Sequence, residues 1–267
     1  MLERHRSPNG VVTYISPLLR DARVRHAFST RIGGLSPVPF DSLNLGNPNG
    51  CDIQDPTERV RANYVLLQQA AGCAGVERVY LWQVHGAVAY TLTPRSIHGN
   101  EAKGDVLVSN DPSRVLSMRV ADCVPVLLAS PDGKAVAAIH AGWRGVVGGA
   151  AIVGLEKLCE LHDVKPAEVL VAIGPSIGFD AFEVGPEVLD EFTKTFGSEA
   201  PIRRRDDGKG HVDLREALRR QLIAEGVDAS NIDNTDRCTH THADEFFSHR
   251  RENGVTGRMA AIVVANA

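Results

Sequence analysis

The chain carries many short apolar stretches rich in Val and Ile, each closed by turn residues. They predict strands over Val11–Ile15, Val24–Phe28, Val79–Trp82, Ala87–Leu92, Val106–Val108, Val115–Arg119, Val124–Ala129, Ala135–Ile139, Val169–Ile173 and Ala260–Val264. Several are apolar at successive positions rather than alternate ones, as strands covered on both faces are.

Helical spacing is confined to four places. Asp55-Pro56-Thr57-Glu58 reads as an N-cap, a first-turn Pro and a capping-box acid, with Val60, Tyr64, Leu67 and Ala71 following and Gly72 as a stop. Asp213-Leu214-Arg215-Glu216 repeats the box ahead of Leu214, Leu218 and Leu222, with Gly226 beyond. Val188, Leu189, Phe192 and Phe196 form a third stripe closed by Gly197, and a fourth helix is predicted from about Gly145 to His162. Strands outnumber helices and do not alternate with them. The expected class is therefore α+β, one domain over residues 1–267 with mixed β-sheets and helices packed outside. The polar run Arg203–Gly210 (RRRDDGKG) reads as an exposed loop.

Composition narrows the function. The 33 acidic against 29 basic residues give a net charge of −4, unlike the basic balance of a general nucleic-acid binder. Apolar runs such as Val124–Ser130 and Met259–Ala265 are too short to span a membrane, and Met-Leu-Glu-Arg-His-Arg lacks the apolar stretch of a signal peptide. An odd count of five cysteines in a long chain fits reduced thiols in a cytoplasmic enzyme. No GxGxxG or GxxxxGK[ST] opens a helix, so the common nucleotide fingerprints are missing.

Three segments set a metal-competent side chain where an apolar strand meets a turn: Trp82-Gln83-Val84-His85-Gly86, Ala121-Asp122-Cys123-Val124 and His140-Ala141-Gly142-Trp143-Arg144-Gly145. Read singly, each residue also fits a packed or hydrogen-bonded role. Together, His85, Cys123 and His140 make two imidazoles and a thiolate, which leave a fourth tetrahedral position on a zinc ion for water or substrate. Gly142 and Gly145 let backbone amides approach a ligand at a helix start, and Arg144 suits phosphate. The loop from Ser29 to Gly46, dense in Gly, Ser, Pro and Asn, is long enough to serve a site. Cys238, His240 and His242 (CTHTH) have metal-binding spacing or form a polar loop, their histidines sharing a face if extended. Cys51, Cys73 and Cys159 read as structural.

The ordered set TRIGGLSPVPFDSLNLG, WQVHG, GDVLVSN, ADCVPVLL, HAGWRG, GPSIG, FEVG and CT…FFSHRR…TGR resembles the YfiH-type family, also labelled multicopper polyphenol oxidoreductase or laccase-domain proteins, from about Ala27 to Val264. The resemblance implies an α+β fold and zinc ligands at His85, Cys123 and His140, with Arg31 of TRIGG and Arg144 of HAGWRG lining the same pocket. It implies purine nucleosides and phosphate as partners, with phosphorylase and adenosine deaminase activities; some bacterial members are associated with peptidoglycan editing. Two departures stand out: Asp180-Ala181 after GPSIG, where the family often has two cysteines, and His240 and His242 after CT.

Three chemistries compete for these residues. A purine nucleoside enzyme would use Cys123, His140, Arg31 and Arg144 in catalysis, with Arg31, Gln83 and Arg144 on substrate; Asp122 is a candidate general acid or a brace for its turn. A cysteine amidase would use Cys123 as nucleophile with His140 or His85 as base, acting on a peptidoglycan precursor. A copper polyphenol oxidase is the least favoured, since multicopper sites draw on several His-x-His pairs and this chain has one, His240/His242. The deaminase signature H-x-E with P-C-x-x-C is absent.

Overall fold

Strands apolar on both faces need cover on both sides, and the fold supplies it as four stacked layers. The computed structural model describes residues 1–96 and 102–267. Its strands are β1 (Glu3–Arg6), β2 (Val12–Ile15), β3 (Arg25–Ser29), β4 (Glu77–Val79), β5 (Ala89–Leu92), β6 (Val106–Ser109), β7 (Arg114–Val120), β8 (Val124–Ala129), β9 (Val136–Ala141), β10 (Leu170–Ile173), β11 (Glu183–Val184), β12 (Ile202–Arg204), β13 (Gly210–Val212), β14 (Ile232–Asp233) and β15 (Met259–Val264). The helices are α1 (Pro17–Asp21), α2 (Thr57–Ala70), α3 (Trp143–Val147), α4 (Ala150–His162), α5 (Pro186–Phe196) and α6 (Leu214–Ala224). One sheet has the order β1-β2-β3-β15-β7-β4, a second β14-β10-β8-β9-β6-β5, and a small third β11-β13-β12. The two large sheets are mixed: β4 runs parallel to β7, β5 to β6 and β10 to β14, while the other neighbours are antiparallel. The expected α+β class with mixed sheets and outer helices is the fold observed.

The period of two sorts the core. In β8 and β9, Leu127, Ala129, Val136 and Ala138 face the first sheet and pack with Leu116, Met118, Ala261 and Val263. Their neighbours Val126, Leu128, Ala137 and Ile139 face the other way, onto α4, α5 and α6. On the far side of the first sheet, Ala260, Ile262 and Val264 pack under Tyr64 and Leu67 of α2. All six residues of β8, β9 and β15 are buried, so access to the central strands is confined to their ends.

Four local expectations need correction. Asp55 does not cap α2, whose N-cap is Pro56 with no side-chain bond. Its carboxylate instead accepts from Ser36 Oγ at 2.5 Å, Asn44 Nδ2 at 3.1 Å and Arg59 at 2.9 Å, which ties the Ser29–Gly46 loop to the helix start. The helix expected over Gly145–His162 begins earlier, at Trp143, and is broken where Gly149 adopts φ +75°, leaving α3 and α4. The strand expected over Val79–Trp82 ends at Val79, and Trp82 makes only an isolated bridge to Lys103. The run Arg203–Gly210 is no plain loop: β12 and β13 pair within it, while Arg203, Arg204 and Arg205 meet Asp180, Asp190 and Glu183. Asp213 does cap α6, accepting from the Glu216 amide at 3.0 Å.

Truncating Leu127, buried between the sheets, should therefore cost about 2–5 kcal/mol in urea unfolding. Asp213→Ala, which removes one cap bond, should cost about 1 kcal/mol. Equal losses in the two variants would contradict this layered core.

Candidate metal centre and its cavity

The end of the second sheet builds the site. The register that pairs Val106 with Ile139 sets Asp105 beside His140, and the His140 amide donates to the Asp105 carbonyl at 2.9 Å. The Asp105 side chain is fully buried and accepts four further bonds. His140 Nδ1 lies 2.8 Å from Oδ1. The amides of Val84, His85 and Gly86 donate to the same carboxylate at 3.2, 3.0 and 2.7 Å. This convergence holds residues 84–86 outside any sheet ladder. It also holds His85 at φ +60°, a left-handed conformation that a non-glycine residue keeps only when its surroundings enforce it.

Cys123 comes from the turn between β7 and β8. Asp122, at φ +87°, shapes that turn. Its carboxylate accepts from Thr239 Oγ1 at 2.6 Å, Ser248 Oγ at 3.0 Å and the Arg250 amide at 2.7 Å. Of the two roles open to Asp122, the structure places it as the brace.

The ligand atoms of His85, Cys123 and His140 all lie within 4.8 Å of one another, and this is the single such cluster among the described residues. The rings of His85 and His140 meet edge to face at 4.9 Å. The donor set suits zinc: two imidazoles, one thiolate, and a carboxylate behind one imidazole that fixes its tautomer and leaves Nε2 free to bind. Gly142 completes the cradle, because a Cβ there would stand 3.0 Å from His85 Cδ2 and 3.1 Å from Cys123 Sγ. Electrostatics favour the charged thiolate. Burial pushes the Cys123 thiol up, but the charge and hydrogen bond of His140, with a hydrogen bond from His85, outweigh it and bring it down to about 6. Burial likewise pushes His140 down, and the Cys123 thiolate and Asp105 carboxylate reverse this to about 9. Asp105 would be raised by its burial, yet His140 and the loop amides hold it below the usual carboxylate range.

These three residues line a cavity of about 720 Å³ together with Gln83, Gly142 and Arg144. Gln83 is locked by two bonds to the Arg119 backbone, Nε2 to the carbonyl at 2.7 Å and Oε1 from the amide at 2.9 Å. Arg144 is exposed, its guanidinium 4.2 Å over the Trp143 ring. Arg31 does not line this cavity, contrary to expectation. Its guanidinium is taken by the Asp41 carbonyl at 2.7 Å, the Asp41 carboxylate at 3.0 Å and the Ala243 carbonyl at 3.1 Å, and it lies over Phe247. Three cavity arginines were missed: Arg119, Arg250 and Arg258. Arg258 belongs to the TGR motif, and Arg119 ends a predicted strand, but nothing in their spacing ties them to the metal ligands. Asp105 was also missed, although GDVLVSN contains it.

The CTHTH segment is not a second metal cluster among the described residues. It forms a turn rather than a strand: the Cys238 thiol sits 3.1 Å from the Gly178 amide, and His242 Nδ1 is 3.0 Å from the Cys238 carbonyl. All five cysteines are free, and Cys51, expected to be structural, also lines the cavity.

Residues 25–266 match the family described as multi-copper polyphenol oxidoreductase laccase. The purine nucleoside phosphorylase YfiH of Escherichia coli is 39 % identical over 235 residues, covering 88 % of this chain and 91 % of the relative. The purine nucleoside phosphorylase of Deinococcus radiodurans is 37 % identical over 250 residues, 92 % of each chain. The crystal structure of YlmD from Geobacillus stearothermophilus superposes with a TM-score of 0.88 at 32 % identity, over 99 % of both chains. A strand-end metal cradle on a pair of mixed sheets defines the class, and the chain belongs to the YfiH-type, laccase-domain family.

Two outcomes follow from the cradle. Asp105→Asn should weaken zinc binding about 10–100-fold in a competitive chelator titration, with the fold retained by circular dichroism. In chelator-treated protein, alkylation of Cys123 by iodoacetamide should accelerate as pH rises through about 6. A midpoint near the ~8.5 of a free thiol would refute the charge pairing.

Proposed function

We propose that this chain is a purine nucleoside phosphorylase acting on inosine, adenosine and methylthioadenosine, and that the same cavity deaminates adenosine. One observation carries the phosphorylase reading. The cavity beside the His–Cys–His set is lined by Arg119, Arg144, Arg250 and Arg258, and none of these has a carboxylate partner among the described residues. Unpaired guanidiniums facing a cavity of small-molecule size suit an anionic co-substrate. The names of the Escherichia coli and Deinococcus radiodurans relatives support the same activity.

In phosphorolysis, a phosphate oxygen bonds to the anomeric carbon of the ribose while the bond to the purine ring nitrogen breaks. The electron pair leaves with the purine, and the proton of hydrogen phosphate ends on it, giving ribose 1-phosphate and the free base. The arginines hold the attacking anion against the sugar carbon. His85, Cys123 and His140 would hold zinc, which when bound would supply a Lewis acid in the cavity. Deamination consumes water and releases ammonia, and the donor set with its open position supports it. Zinc fits better than copper, since a single two-histidine, one-thiol cluster among the described residues cannot supply a multicopper centre.

A second reading has its own observation. Asp105 Oδ1, His140 and the Cys123 thiol form a carboxylate–imidazole–thiol relay, the geometry of a cysteine acyl-transfer enzyme. That would serve an amidase acting on a peptidoglycan precursor.

Product analysis separates the two. Purified, zinc-loaded protein should release hypoxanthine from inosine only when phosphate is present, and ammonia from adenosine with or without it. His140→Ala should lose zinc and at least about 100-fold in deamination. Cleavage of a muramyl-amino-acid nucleotide that survives chelation, with no phosphate-dependent release of base, would establish the amidase instead.

A further inference from the structure

Not all the cavity arginines are equivalent. Arg144 and Arg250 are exposed, whereas Arg119 and Arg258 are half-buried and adjacent. In the antiparallel pair of β7 and β15, Ala260 lies opposite Arg119, so Arg258, two residues before Ala260, projects on the same face as a diagonal neighbour. Gly46 passes between them: a Cβ there would stand 2.9 Å from Arg119 Cδ and 3.5 Å from Arg258 Cβ. Both backbones are pinned by side-chain amides, Arg119 by Gln83 and Arg258 by Asn44, whose Oδ1 accepts from the Arg258 amide at 3.0 Å.

The two like charges lie near enough to repel each other. Burial lowers the Arg258 pKa, and the Arg119 charge lowers it further. The acids within electrostatic reach of Arg258 are Cys123 and Asp122, and the Asp122 carboxylate is already spent on Thr239, Ser248 and the Arg250 amide. Arg258 spends one nitrogen on the Thr256 and Gly257 carbonyls at 2.8 and 3.0 Å. The Arg119 guanidinium has no hydrogen-bond or ion-pair partner among the described residues. A like-charged pair on pinned backbones, with neither member in an ion pair with a carboxylate among the described residues, suits a dianion.

We propose that Arg119 and Arg258 form the phosphate subsite of the cavity, in place of Arg31, which is committed to Asp41. This rests on the phosphorylase reading for its biological use, but the anion site itself is testable without turnover. The ligand class is a tetrahedral oxyanion taken by two planar donors, a geometry a lysine cannot reproduce.

Two measurements on zinc-loaded protein test it. First, binding of inorganic phosphate is titrated calorimetrically in the absence of nucleoside. Arg119→Gln, which breaks no internal hydrogen bond or ion pair among the described residues, should weaken it about tenfold or more, and Arg119→Lys should not restore it. Arg258→Gln should weaken it to a similar extent, and Arg31→Gln should leave it within about twofold. Second, in inosine phosphorolysis the KM for phosphate should rise by the same factor while the KM for inosine moves by less than about twofold. Unchanged phosphate affinity in Arg119→Gln, or a rise confined to the inosine KM, overturns the subsite. Phosphate binding that depends on both arginines in a protein that cleaves no nucleoside would uphold the subsite and remove the phosphorylase reading.

Discussion

Everything at the site depends on one buried carboxylate. Asp105 accepts the imidazole of His140 and three successive amides of the Val84–Gly86 loop, so a single anion sets both the tautomer of His140 and the backbone of His85. A buried carboxylate without such partners would be neutral or strongly destabilising. Here its charge is met on four sides, and that charge in turn keeps His140 positive enough to hold Cys123 as a thiolate. The cluster of His85, Cys123 and His140 is thus arranged by hydrogen bonds within the protein itself.

The four-layer stack explains why chemistry collects where it does. Strands β7, β8, β9 and β15 are covered above and below, so their side chains are spent on packing. Only their ends reach solvent, and Asp105, Arg119, Cys123, His140 and Arg258 all stand at or next to strand ends. Residues far apart in sequence therefore meet at one rim. The wide spacing of the ligands, unlike the close pairs of structural zinc sites, is a consequence of this topology.

What could be read from the sequence divides along physical lines. Strands with continuous Val and Ile were legible because burial on both faces leaves no polar positions; β8 matches its predicted limits residue for residue. The hairpin of β12 and β13 was hidden because its three-residue strands adjoin a run of arginines whose partners, Asp180, Asp190 and Glu183, lie elsewhere in the chain. The break between α3 and α4 turns on Gly149, and a glycine inside an apolar run does not announce a left-handed turn. At the site, the residue types of His85, Cys123 and His140 pointed to one cluster, and the structure brings the three together. Asp105 did not stand out, since its role lies in the bonds it accepts from residues about 20 and 35 positions distant. Arg31 misled because an arginine in a glycine-rich loop says nothing about which carboxylate has already claimed it.

The Asp55 carboxylate has a consequence of its own. It clasps Ser36, Asn44 and Arg59, while the Asn47 side chain bonds both its amide and its carbonyl. The segment Asn47–Asp52 that edges the cavity thus leaves from and returns to one clasp, outside both large sheets. Such an arrangement is modular: the intervening residues can be exchanged, lengthened or shortened as a cassette while the clasp keeps its two ends together. Substrate preference in proteins built this way can diverge by loop replacement alone, leaving the metal cradle and the sheet core untouched.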